Sequence, residues 1–176
     1  INKGALMTMN ITSHGEKIAT LNPTISGDAP DFELTDLKGN KIKLSKLEKP
    51  VLISVFPDIN TRVCSLQTKH FNLEAAKHSE IDFLSISNNT ADEQKNWCAT
   101  EGVDMTILAD DGTFGKAYGL ILNGGPLEGR LARSVFVVKN GQIVYSEVLS
   151  ELSDEPNYEK ALAATCLLYT SPSPRD

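Results

Sequence analysis

The chain has 176 residues, 40% of them apolar and 23% charged, with a formal net charge of −6, which suits one soluble domain with a core of its own. No basic cluster stands out, so nucleic acid and anionic membrane surfaces are not expected partners, and no apolar run approaches the roughly 20 residues of a membrane helix. Three cysteines are too few for a disulfide framework, and with His14, His70 and His78 unpaired in sequence there is no zinc-type spacing.

Residues 1–8 are expected to be a non-native or disordered extension, with Met7 or Met9 as the natural start. The segment Ile1 to Asn10 has one lysine and no secretory apolar stretch, so a cytoplasmic site is expected. Met9 to Leu21 alternates weakly about His14-Gly15 and predicts a hairpin. Pro23 to Ala29 reads as a linker. Asp31 to Leu34 and Ile42 to Leu44 alternate about Lys38-Gly39-Asn40, a second hairpin. Val51 to Phe56 is apolar on both faces, as a covered central strand should be, and Pro57 ends it. Val63, Leu66, His70 and Leu73 recur at helical spacing and predict a helix from about Val63 to Lys77.

Ile81 to Ser87 is the next strand. Thr90-Ala91-Asp92-Glu93 is a capping box, opening a helix that runs to about Thr100 and stops at Gly102, with Cys98 near its end. Ile107-Leu108 leads into an Asp110-Asp111-Gly112 turn, a short helix at Thr113 to Tyr118 and a Gly/Pro loop from Asn123 to Gly129. Ser134 to Val138 and Gln142 to Val148 flank Lys139-Asn140-Gly141, another hairpin. Pro156 to Ala164 is the last helix, with Ser153 or Asp154 as its cap. Beyond it no period survives and two prolines, Pro172 and Pro174, fall within three positions, so residues 165–176, Cys166 included, are expected to be a disordered or artefactual tail. The domain is therefore 9–164. Strands alternating with helices predict an α/β fold: a thioredoxin-like sandwich, its central mixed sheet flanked by helices, with an N-terminal β-hairpin.

Chemistry concentrates where the central strand meets its helix. Thr61-Arg62-Val63-Cys64 puts a cysteine in the first helical turn, where unpaired N–H groups and the positive dipole end favour a thiolate. With a second thiol, Cys98, downstream, this is a layout for peroxide or disulfide chemistry. Thr61 can hold its hydroxyl over the helix entrance. Pro57 offers a rigid apolar wall. Arg133, before a late strand, is a candidate cation with several fixed donors.

Taken together, these segments resemble the peroxiredoxins, and within them the atypical two-cysteine thiol peroxidases. Pro57 to Cys64 matches the family's proline, threonine and cysteine spacing, although Arg62 stands where many members carry proline. Ala29-Pro30-Asp31-Phe32 matches its early signature, Cys98 before Glu101-Gly102 its resolving cysteine, and Leu131-Ala132-Arg133-Ser134 the stretch with its active-site arginine. The resemblance covers roughly residues 9–164. It implies that Cys64 attacks a hydroperoxide held by Thr61, Arg133 and the Cys64 N–H and becomes a sulfenic acid. Cys98 of the same chain would then form a disulfide with it, reduced by a thioredoxin-like donor. The resemblance implies a homodimer and calls for no metal, flavin or haem.

Each residue also has a plainer reading. Cys64 could be a core thiol, Cys98 could simply pack beside Trp97, Thr61 cap a helix, Arg133 pair with a surface acid and Pro57 terminate a strand. His70 reads as facing the core or an interface, and Trp97 and Phe56 as core or interface. The competing functions are a disulfide carrier or redox sensor without peroxidase turnover and a non-enzymatic binding domain. A carrier usually shows Cys-x-x-Cys, which is missing here. A cysteine hydrolase would need a paired histidine.

Overall fold

The computed structural model of the chain describes residues 8–103 and 105–170, the last five of these by backbone alone. Most of the expected N-terminal extension, residues 1–7, and residues 171–176 of the expected tail lie outside the described residues.

The N-terminal hairpin is β1 (Met9–Ser13) paired with β2 (Glu16–Leu21). His14 and Gly15 take φ of 52° and 85°, the left-handed pair a two-residue turn between twisted strands requires. Gly27–Asp28 forms a short strand, β3, inside the stretch read as a linker. Its partner lies far along the chain, so no local period announces it. The second hairpin follows as β4 (Glu33–Thr35) and β5 (Lys41–Lys43).

Next come β6 (Val51–Val55), α1 (Arg62–Lys77), β7 (Asp82–Ser87), α2 (Ala91–Glu101), β8 (Ile107–Ala109) and α3 (Thr113–Tyr118). The chain closes with β9 (Ser134–Lys139), β10 (Gln142–Val148) and α4 (Tyr158–Thr170). Six strands form one mixed sheet in the order β3-β10-β9-β6-β7-β8. β6 runs parallel to β7 and antiparallel to β9.

The alternation of β6 sorts its residues between two layers. Leu52 joins Phe83, Val135 and Val137 under Phe71 of α1 and Ala161 of α4. Val51, Ile53 and Val55 face the other way, among Phe32, Phe114, Tyr118 and the hairpin's Ile11, Ala19 and Leu21. Each fully buried side chain of this size contributes roughly 1.5–3 kcal/mol, enough to hold the hairpin against the sheet. Ser54 falls on the α1 side, where its hydroxyl accepts from Gln67 Nε2 at 2.8 Å. A one-residue slip of β6 would turn Ser54 to the opposite face and take that partner away.

The α2 capping box is present in both directions between Thr90 and Glu93, as expected, whereas two details of α4 differ from expectation. The cap of α4 is Asn157, whose Oδ1 accepts from the Lys160 N–H at 3.0 Å; Ser153 is engaged elsewhere, its hydroxyl donating to Glu151. α4 also runs on to Thr170, past the expected end at Ala164.

Candidate active site

β6 delivers the chain to Phe56 and Pro57, both buried at the end of this interior strand. The loop that follows is tied down by polar bonds. Asn89, at the far end of β7 and 1% exposed, accepts from the Ile59 N–H at 2.8 Å and donates through Nδ2 to Asp58 Oδ1 at 2.9 Å. The Asp58 carbonyl accepts from Thr61 twice, from its N–H at 3.0 Å and its hydroxyl at 2.8 Å.

Thr61 is the N-cap of α1 by backbone geometry, but its side chain makes no capping bond; its hydroxyl donates to the Asp58 carbonyl instead. Ser65 donates the first intrahelical bond, to the Thr61 carbonyl at 3.0 Å. The N–H groups of Arg62, Val63 and Cys64 precede it, so none has an intrahelical acceptor.

Cys64 is the third residue of α1 and 1% exposed. Arg133, one residue before β9, is 3% exposed, which excludes the surface ion-pair reading. Its Nε and Nη2 donate to the Leu152 carbonyl at 3.0 and 2.8 Å. Its Nη1 donates to Gln67 Oε1 at 2.9 Å and to Cys64 Sγ at 3.4 Å. A guanidinium has five N–H donors, so one hydrogen on Nη2 is left over. Among the described residues no carboxylate pairs with Arg133, and its charge is offered to the sulfur and to a cavity beside it. That cavity, about 310 Å³, is lined by Pro57, Thr61, Cys64 and Arg133, by Leu127 and Leu152, and by the hairpin tip at Ser13 and His14.

Cys98 lies in the last turns of α2, half-buried, and its carbonyl accepts from the Val103 N–H at 3.1 Å. It borders a different cavity, of about 380 Å³, with Leu37, Lys95 and Met105. Cys64 and Cys98 are not joined in a disulfide. Trp97 lies in one apolar cluster with Phe56, Ile59, Cys64 and Ile107, with Cys98 packed at its margin. Trp97 Nε1 donates to Ser65 Oγ at 3.2 Å, and Lys69 of α1 pairs with Glu101 at the end of α2. Among the described residues no three His, Cys, Asp or Glu side chains gather as for a metal ion, and no helix is long and apolar enough to cross a membrane.

Residues 25–162 match the family model described as Redoxin. The chain belongs to the Redoxin family. A thiol peroxidase of Staphylococcus saprophyticus is 42% identical over 88% of this chain and 96% of its own length. One from Listeria innocua is 43% identical over 80% and 86%. Among solved structures, a peroxiredoxin-like protein from Aquifex aeolicus superposes with a TM-score of 0.83 at 25% identity, covering 90% of this chain and 96% of that one. The fold of this Redoxin is thus the thioredoxin-like one expected, on its thiol peroxidase branch.

Of the residues singled out in the sequence, Pro57, Thr61, Cys64 and Arg133 meet at one cavity and Cys98 does not reach it. Cys166 falls in the stretch described by backbone alone. His70 stacks on Tyr158 of α4, ring centroids 3.8 Å apart, so it faces the core side; burial pushes the Tyr158 hydroxyl above its ordinary value, aided by its bond to Glu155. Two polar residues of this site carried no sequence flag. Gln67 is fully buried and bridges β6 to Arg133, donating to Ser54 Oγ and, at 3.1 Å, to the Val55 carbonyl. Its signal was its place three positions after Cys64, on the same helix face. Asn89 had none, since a polar residue after a strand reads as ordinary loop.

Proposed function

We propose that this Redoxin, a thiol-dependent peroxidase, reduces hydroperoxides through Cys64 and recovers its thiols through Cys98. The observation that carries the reading is the Arg133 Nη1 donor 3.4 Å from a Cys64 sulfur that is 1% exposed. A buried, unpaired guanidinium and the first N–H groups of a helix supply the positive potential that a sulfur anion requires.

The Cys64 thiolate attacks the terminal oxygen of the hydroperoxide. An S–O bond forms as the O–O bond breaks, and the leaving oxygen takes a proton and departs as alcohol or water. Thr61, the Cys64 N–H and the spare Nη2 hydrogen of Arg133 align the two oxygens, while Pro57 and Leu127 keep bulk water away. Cys98 then attacks the sulfenic sulfur and water leaves, closing a disulfide within one chain. A thioredoxin-like dithiol reduces that bond by exchange. The two sulfurs border separate cavities, whereas a disulfide needs Cα atoms within roughly 7 Å. The start of α1 and the end of α2 therefore loosen during the cycle, as helix ends do at least cost.

The same reading has the protein in the cytoplasm and as a homodimer. Support for the latter is Leu66 and Leu73, 36% and 64% exposed and two turns apart on α1. The deciding experiment is peroxide consumption by the purified chain with thioredoxin and its reductase, over hydrogen peroxide and several organic hydroperoxides. Steady turnover is expected. Disulfide exchange with no peroxide consumed would identify a carrier or sensor instead.

A further inference from the structure

Arg133 is aimed by two acceptors. Gln67 is anchored on β6, but the Leu152 carbonyl, which takes both Nε and Nη2, belongs to the loop between β10 and α4. Something must hold that loop still. The N-terminal hairpin does so with its backbone: the Leu152 N–H donates to the Thr12 carbonyl at 2.9 Å and the Thr12 N–H to the Ser150 carbonyl at 2.6 Å.

At the centre of this contact is the Glu151 carboxylate. Its Oε1 accepts from the Thr12 hydroxyl at 2.7 Å and the Gly15 N–H at 2.9 Å. Its Oε2 accepts from the His14 N–H at 2.8 Å, the Ser153 N–H at 3.0 Å and the Ser153 hydroxyl at 2.6 Å. A carboxylate has about four lone-pair sites, so this one is saturated without any cation among the described residues. The Ser153 hydroxyl first, then the other donors, hold its titration far below the usual carboxylate range. The donors come from two sources: the hairpin, through Thr12 of β1 and the left-handed turn at His14 and Gly15, and the residue following Leu152.

We propose that Glu151 is a positioning residue for the active-site arginine. By clamping the hairpin tip to the loop it fixes the Leu152 carbonyl, and that carbonyl orients the guanidinium toward Cys64. Glu151 itself does not line the Cys64 cavity. The hairpin is then a working part of the active site, and it also contributes Ser13 and His14 to the cavity wall. This inference rests on the peroxidase reading and on the role given there to Arg133.

The test is a double-mutant cycle on the rate of Cys64 oxidation by hydrogen peroxide, read in single turnover by rapid mixing. Glu151→Gln keeps the size but turns an NH₂ group toward N–H donors. It is expected to slow oxidation about 10- to 100-fold, the range for small misplacements of a positioning group. In an Arg133→Met background the same change is expected to have less than about a twofold effect, since the group it positions is gone. The absorbance of the Cys64 thiolate in a Cys98→Ser chain, followed against pH, should move in Glu151→Gln as it does in Arg133→Met. Should Glu151→Gln fail to fold, Ser153→Ala removes one donor and is expected to slow oxidation in the same direction, by less. Equal slowing in both backgrounds, or wild-type oxidation and thiolate absorbance in Glu151→Gln, would overturn the proposal while the peroxidase reading stands. A wild-type chain that consumes no peroxide would overturn both.

Discussion

Cys64 sits at the start of a helix among several fixed polar groups, and Cys98 near the end of another. The first thiol is 1% exposed, its neighbouring cation is fixed through two acceptors, and its loop is bolted to Asn89. The second is half-buried in the last turns of α2, ahead of Gly102, whose φ of 68° ends the helix. Its surroundings are tied to α1 mainly by the Trp97–Ser65 bond and the Lys69–Glu101 ion pair. The difference matches the two tasks proposed. Attack on a peroxide needs atoms aligned in advance, whereas closing the disulfide needs a segment that leaves its place.

The comparison can be broken at either thiol. Cys64→Ser removes the proposed nucleophile and should reduce peroxide turnover to no more than a few per cent of wild type; substantial residual turnover would move the chemistry elsewhere. Cys98→Ser should consume one equivalent of peroxide and then stall under thioredoxin, while Cys166→Ser turns over normally. Mass spectrometry of the oxidised wild type should find a Cys64–Cys98 link within one chain, and a link to Cys166 or between chains would redraw the second half of the comparison.

Subtler changes sharpen it. Arg133→Lys keeps the charge but cannot serve Leu152, Gln67 and Cys64 together. Losing an aligned charged donor raises a barrier by about 2–4 kcal/mol, so Cys64 oxidation should slow about 30- to 1000-fold while the disulfide step is unchanged. Ser65→Ala deletes the acceptor of the Trp97 bond and should act in the opposite region. A hydrogen bond of this kind is worth about 1 kcal/mol, so opening should become easier and disulfide formation about fivefold faster, with Cys64 oxidation unaffected. Hydrogen exchange on the reduced and oxidised forms provides the readout: oxidation should lower protection in segments 58–68 and 92–103 and leave β6 protected. Equal exchange in both forms would remove the opening step.

What could be read along the chain was local. The run from Val51 to Phe56, the capping box at Thr90 and the turn at Asn140-Gly141 each carry their signal within a few residues, and the elements formed there. The proposed nucleophile stood out for the same reason: Cys64 follows an apolar strand and opens a helix. Arg133, Thr61 and Pro57 could be nominated, but their meeting at one cavity required the sheet to place the end of β6 beside the start of β9. The pieces not legible are those whose partners are distant in sequence. β3 exists because Gln142 and Ile143 pair with it, and Gln67 matters because Ser54 and Arg133 converge on it. Nothing local in the sequence marks Glu151, whose donors come from the distant hairpin as well as from Ser153. Short-range periodicity and capping chemistry are properties of the chain by itself, whereas the orientation of a buried guanidinium depends on acceptors from separate elements that only tertiary packing brings within 3 Å.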